Sequence, residues 1–218
     1  MKSLIAKGSA LLVLASQCSA FVSIEGLTFT VADATTFHSS SSTALPNLAE
    51  VGELYFDGDE SQARGLSEFN LSGLTTDAAS VMVQFEVIND GGIFFANDFP
   101  FDGGIAVEMY LANNTEDLTD FWIPSFVQIA DFATSTLAVG QILMFDATEA
   151  LNYALSKGAT SLGIRLQADP LYYVNGGAWT FGNFELTYVA VPEPSSTATA
   201  LGVLALGAAV FAARRRRA

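Results

Sequence analysis

Cysteine is almost missing from this chain, histidine nearly so, and positive charge is scarce through its middle. The one cysteine, Cys18, lies in an N-terminal stretch with the character of a leader. The region after it therefore has no internal disulfide and no thiol nucleophile, and must be stabilised by core packing. His38 is the one histidine, set in the run His38-Ser39-Ser40-Ser41-Ser42. A zinc site would be left with carboxylates alone, and a Ser/His/Asp relay lacks the Gly-x-Ser-x-Gly turn that would present its nucleophile. The cations Lys2, Lys7 and Arg214 to Arg217 sit at the ends. Between residues 21 and 190 only Arg64, Lys157 and Arg165 stand against 22 acidic residues, a net charge of −19. Such a surface repels phosphate backbones, so nucleic acid is excluded as a partner.

What is present at the ends has a clear order. Residues 1–20 have the order of a secretory signal peptide: Lys2 and Lys7, then the short apolar run Ala10–Ala15, then small residues to Ala20. This predicts engagement of the secretion translocon and cleavage by signal peptidase after Ala20. At the other end, Val191, Pro192, Glu193 and Pro194 form a proline-rich break that continues neither strand nor helix. Residues 195–213 carry no charge, and as a helix they would reach roughly 28 Å, about the thickness of a hydrocarbon core. Arg214, Arg215, Arg216 and Arg217 then hold that end on the cytoplasmic side as a membrane stop. The expected topology is an inner-membrane anchor in 195–213, with the domain 21–190 in the periplasm.

A Val-Pro-Glu-Pro motif, a short Gly/Ala/Leu-rich span and a terminal arginine cluster together resemble the PEP-CTERM sorting domain. The resemblance covers residues 191–218. It implies an exosortase as processing partner, with Pro192, Glu193 and Pro194 as recognition residues, and a Gram-negative host that makes extracellular polysaccharide.

Alternation with period two recurs between residues 21 and 190, the signature of half-buried strands. Val81, Val83, Phe85 and Val87 share one face, as do Ile105, Val107, Met109 and Leu111; Leu162, Ile164 and Leu166; and Phe184, Leu186 and Tyr188. Weaker strands are expected at 23–31, 51–56, 65–71, 126–132 and 141–145. Clusters of Asp, Asn and Gly separate them. One helix is expected after Asp146, with Asp146 and Glu149 as a capping pair and Gly158 just past its end. The expected fold is all-β: an antiparallel sandwich or jelly roll with one short helix, flanked by the signal peptide and a C-terminal transmembrane helix. Residues 65–87 and 145–166 resemble stretches of disaggregatase-related jelly rolls, which implies a carbohydrate-binding-module-like sandwich.

Two kinds of site residue stand out. Asp57, Asp59 and Glu60 gather carboxylates around a turn glycine, and such hard oxygen ligands suit calcium; solvated turn residues are the plainer reading. Trp122, Tyr172 and Tyr173 fall in loop-like stretches, where exposed aromatic rings stack on sugars, whereas Trp179 begins a strand and is expected in the core. No carboxylate pair has a context that marks it as catalytic, so no enzymatic activity is expected. The expected role is that of an exported, exosortase-processed surface or matrix protein, structural or adhesive within exopolysaccharide or biofilm. A carbohydrate-binding module is the alternative, and a glycan-active hydrolase a distant one.

Overall fold

Apolar side chains on alternate positions must share a dry face, and the eleven strands among the described residues solve that problem by wrapping around one main core. The computed structural model describes residues 21–34, 41–43, 47–56, 59–74, 77–92, 99–168 and 176–190, all within the compact unit Phe21–Val191. The leader, the tail with its expected membrane span, and the sorting residues Val191 to Pro194 and Arg214 to Arg217 lie outside the described residues. Among the described residues no helix is long and apolar enough to cross a membrane.

The strands are β1 (Phe21–Glu25), β2 (Leu27–Ala34), β3 (Ser41–Thr43), β4 (Leu48–Phe56), β5 (Asp59–Asn70), β6 (Ala78–Asn89), β7 (Gly104–Leu111), β8 (Val127–Ala133), β9 (Ile142–Asp146), β10 (Ser161–Ala168) and β11 (Gly177–Ala190). The one strand expected at 23–31 is split at Gly26, where any side chain would collide with Ser67 and Phe69. All pairings are antiparallel, and the hydrogen-bonded path runs β8-β7-β10-β5-β4-β11-β6-β9. Long β5 links the two halves of this path, and its other edge pairs with β2. Its first half pairs with β4, and its second half, Gly65 to Asn70, pairs with β10.

The expected inward faces are the observed ones. Val81, Val83, Phe85 and Val87 meet Ile105, Val107, Met109, Leu162, Ile164 and Leu166 in one cluster, with Phe181, Phe184, Leu186 and Tyr188 from β11. Trp179 is buried there too, as its place at the start of a strand predicts. Phe85 is the hub: its ring stacks on Phe184 at 4.9 Å and stands edge-on to Phe181 at 5.6 Å. Leu111 departs from expectation. It is 39% exposed, because β7 ends there and the chain turns outward. At the two ends of the path, β8 and β9 come together through rings, Phe132 stacking on Phe145 at 5.9 Å. The sandwich is thus nearly a closed barrel.

The expected helix is α1 (Thr148–Ser156), which buries Ala150, Leu151 and Ala154. Gly158 follows the Lys157 cap at φ +70°, the left-handed conformation that glycine adopts at no steric cost. The N-terminal end differs from the expected Asp146–Glu149 box. Asp146 Oδ1 instead accepts from the Thr148 amide at 2.8 Å, and Ala147 is the cap residue. The helix start serves β6: the Thr148 hydroxyl accepts from the Val81 amide at 2.9 Å, and Asn152 binds both backbone groups of Ala78.

Candidate ligand-binding surface

The layer β2–β5–β10–β7 has a second face, pointing away from the main core. Strand alternation alone would leave that face wet, yet Tyr110, Arg165 and Glu68 on it are buried. The cover is the segment 112–126, which leaves β7 and runs back over the sheet before β8. It contributes Phe121 and Ile123 to a small second core with Phe29, Val31, Leu66 and Tyr110. Gly163 makes room for this packing, since a Cβ there would fall inside the Tyr110 ring.

Hydrogen bonds from the sheet fix the covering strap. Arg165 Nη1 donates to the Ile123 carbonyl at 2.8 Å and to the Phe121 carbonyl at 3.4 Å, and Arg64 Nη1 also reaches the Phe121 carbonyl. The Arg64 guanidinium lies 3.9 Å from the centre of the Phe121 ring, a cation–π arrangement. Glu68 accepts from the Tyr110 hydroxyl at 2.9 Å and from the amides of Asn113 and Thr115 at 3.3 and 3.2 Å. A short 3-10 turn, Leu118–Phe121, closes the strap with a reciprocal cap. The Asp117 side chain accepts from the Thr119 amide, and Asp120 Oδ2 accepts from the Asp117 amide at 3.2 Å.

The electrostatics under the strap are unusual for so acidic a chain. Two of the three cations between residues 21 and 190 are used there: Arg64 on Phe121, and Arg165 in an ion pair with Glu108. Burial, reinforced by the charge of Glu68, pushes the Asp120 carboxyl up to about 7. Burial also raises Glu68 in spite of its hydrogen bonds, and it raises the Tyr110 phenol further, with Glu68 and Asp120 adding repulsion. At the exposed rim the Thr119 hydroxyl lowers Asp117. Asp120 Oδ1, Arg165 Nε and Gln167 Oε1 are buried without a partner among the described residues.

The strap presents Trp122 outward. Its side chain is 67% exposed, its amide donates to the Thr119 carbonyl at 2.9 Å, and its ring stands edge-on to Phe121 at 4.7 Å. An open cleft of about 280 Å³ lies elsewhere, lined by Glu25, Gly26, Thr28, Asn47, Asn183, Phe184 and Glu185. Asn47 and Asn183 hold left-handed backbones there, at φ 63° and 53°, where asparagine is tolerated better than most residues.

Of the residues singled out by sequence, Trp122 is a surface aromatic; Tyr172 and Tyr173 lie outside the described residues. So do Asp57 and the side chains of Asp59 and Glu60, although the β4–β5 hairpin pairs Phe56 with Asp59. Among the described residues no group of three or more His, Cys, Asp or Glu could hold a metal. Glu68, Tyr110, Asp120 and Arg165 were not singled out. The available signals were the rarity of arginine and the Asp117-x-x-Asp120 spacing of a cap.

Residues 190–217 match the family of the PEP-CTERM protein-sorting motif. The tail is a PEP-CTERM sorting motif. Val191 to Pro194 and Arg214 to Arg217 fall inside the match. A PEP-CTERM tail marks an exported, membrane-associated protein with an exosortase as its processing partner. The match covers the tail alone, and the sandwich lies outside it. Among curated proteins, none matches the chain.

Proposed function

We propose that the sandwich is a non-catalytic module of a surface or extracellular-matrix protein, structural or adhesive within exopolysaccharide or biofilm. On this reading signal peptidase removes the leader, the exosortase acts at the PEP-CTERM tail, and the sandwich then meets the polymer. One observation carries it: Trp122, a flat aromatic ring, is presented to solvent on a strap held from beneath by Arg64, Arg165 and Glu68. A ring fixed in advance loses little freedom on stacking against a sugar. Glu68 and Asp120 interact electrostatically, but they are 1% and 0% exposed, out of reach of a glycosidic bond. Retention on exopolysaccharide, measured for the wild-type chain and Trp122→Ala, tests the reading. Equal retention would end it.

A second reading is a carbohydrate-binding module with defined sugar specificity. The polar cleft between Asn47 and Asn183 favours it, since amides and carboxylates bond sugar hydroxyls. Saturable binding to one glycan of an array, lost in Asn183→Ala, would select this reading. Weak binding to many polymers would select adhesion.

A further inference from the structure

We propose that the strap 112–126 is a proton-controlled latch: one proton held by the Asp120–Glu68 pair keeps it docked on β5, β7 and β10, and loss of that proton to solvent loosens the seat of Trp122. The idea deepens the reading of Trp122 as a polymer-contacting ring, but it concerns docking and is testable without a polymer.

The geometry carries it. Asp120 is the last carboxyl of the reciprocal cap and is fully buried, with Oδ2 on the Asp117 amide and Oδ1 lacking any partner among the described residues. A negative charge on that atom would be unsolvated and unpaired, the costly case for a buried carboxylate, whereas the neutral acid is tolerated there. The second carboxylate, Glu68, is committed to three donors that include two strap amides, Asn113 and Thr115. If both carboxyls are ionised, they oppose each other across the contact that holds the strap. Among the described side chains, the charged or titratable groups on the elements packed against the pair are Glu68 and Arg64 on β5, Tyr110 and Glu108 on β7, Arg165 on β10, Asp117 and Glu116 on the strap, and none on β2. Arg165 is engaged by Glu108 and the strap carbonyls, and Arg64 by the Phe121 ring and carbonyl, so neither cation neutralises Asp120 by a hydrogen bond. The upward displacement of the Asp120 carboxyl to about 7 agrees in direction.

The sign follows from linkage. Asp120 is held above its ordinary value in the docked state, so docking is strongest at low pH and is lost as pH rises through about 7. If the group reverts to an ordinary carboxyl when the strap lifts, the opening equilibrium rises about tenfold between pH 6 and 8.

Amide hydrogen exchange on the full chain in detergent reads this directly, with intrinsic rates corrected and β6 amides as internal reference. The expected result is about a tenfold loss of protection confined to 112–126 between pH 6 and 8, abolished in Asp120→Asn. Strap protection changing by less than about twofold in the wild type, or the same pH dependence in Asp120→Asn, overturns the latch. Should Asp120→Asn fail to fold, Glu68→Gln removes the neighbouring charge and should move the transition to lower pH. An unmoved transition also overturns it. Polymer retention followed in parallel separates the two ideas: a pH-dependent strap in a chain that binds no polymer at either pH supports the latch and ends the reading of Trp122.

Discussion

Strand β10 is buried on both faces, but the two faces are built by different means. Inward, Leu162, Ile164 and Leu166 enter a dry cluster of aliphatic and aromatic side chains around Phe85. Outward, Gly163 and Arg165 face a thin mixed layer in which a few apolar side chains surround ion-paired and hydrogen-bonded groups. The inner face gains from area removed from water, a term that scales with size and needs no particular partner. The outer face gains from directional contacts, each worth about 1 kcal/mol net and each costly when one partner is lost. The first sets how stable the molecule is; the second fixes where one loop stands.

That contrast is open to breakage. Phe85→Ala should have the largest effect, about 3–5 kcal/mol in urea unfolding, because it removes the hub of the ring cluster. A loss below about 1 kcal/mol would show that the inner face repacks freely. Gly163→Ala, whose new methyl meets the Tyr110 ring, should cost about 1–3 kcal/mol, with exchange rising in 112–126 before β6. A uniform rise across the sandwich would mean that the two faces respond as one. Next comes pH: the stability held by Asp120 is full below its unfolded value near 4 and declines as pH climbs to about 7. The urea midpoint should fall over that window in the wild type and less in Asp120→Asn. Trp122→Ala should have the smallest effect on folding, under about 0.5 kcal/mol, since its ring is mostly in water. Its cost belongs in polymer retention.

The inner face was readable in the sequence and the outer one was not, for a physical reason. Val81, Val83, Phe85 and Val87 report a buried face because period-two alternation is set by the backbone of their own strand. Nothing within β10 says that Arg165 is covered. Its cover comes from 112–126, a segment without periodicity, through contacts 42 and 44 residues away in the chain. Trp122 could be picked out as an aromatic in a loop, whereas its anchors Glu68 and Tyr110 read as ordinary outward positions of β5 and β7. The helix shows the same division. Gly158 marks its end through a local backbone need, while at its start the Thr148 hydroxyl is taken by the distant Val81 amide of β6, which no local pattern shows. At the chain's end the PEP-CTERM tail was plain, because a motif, a span and a charge cluster in order are a purely linear signal.

The meeting of β8 and β9 has a thermal consequence. Elsewhere neighbouring strands are joined by backbone hydrogen bonds, but along this line the join rests on apolar rings, Phe132 against Phe145. Apolar contacts weaken on cooling. Chilling should therefore admit water first along this seam, while the paired strands around it stay closed.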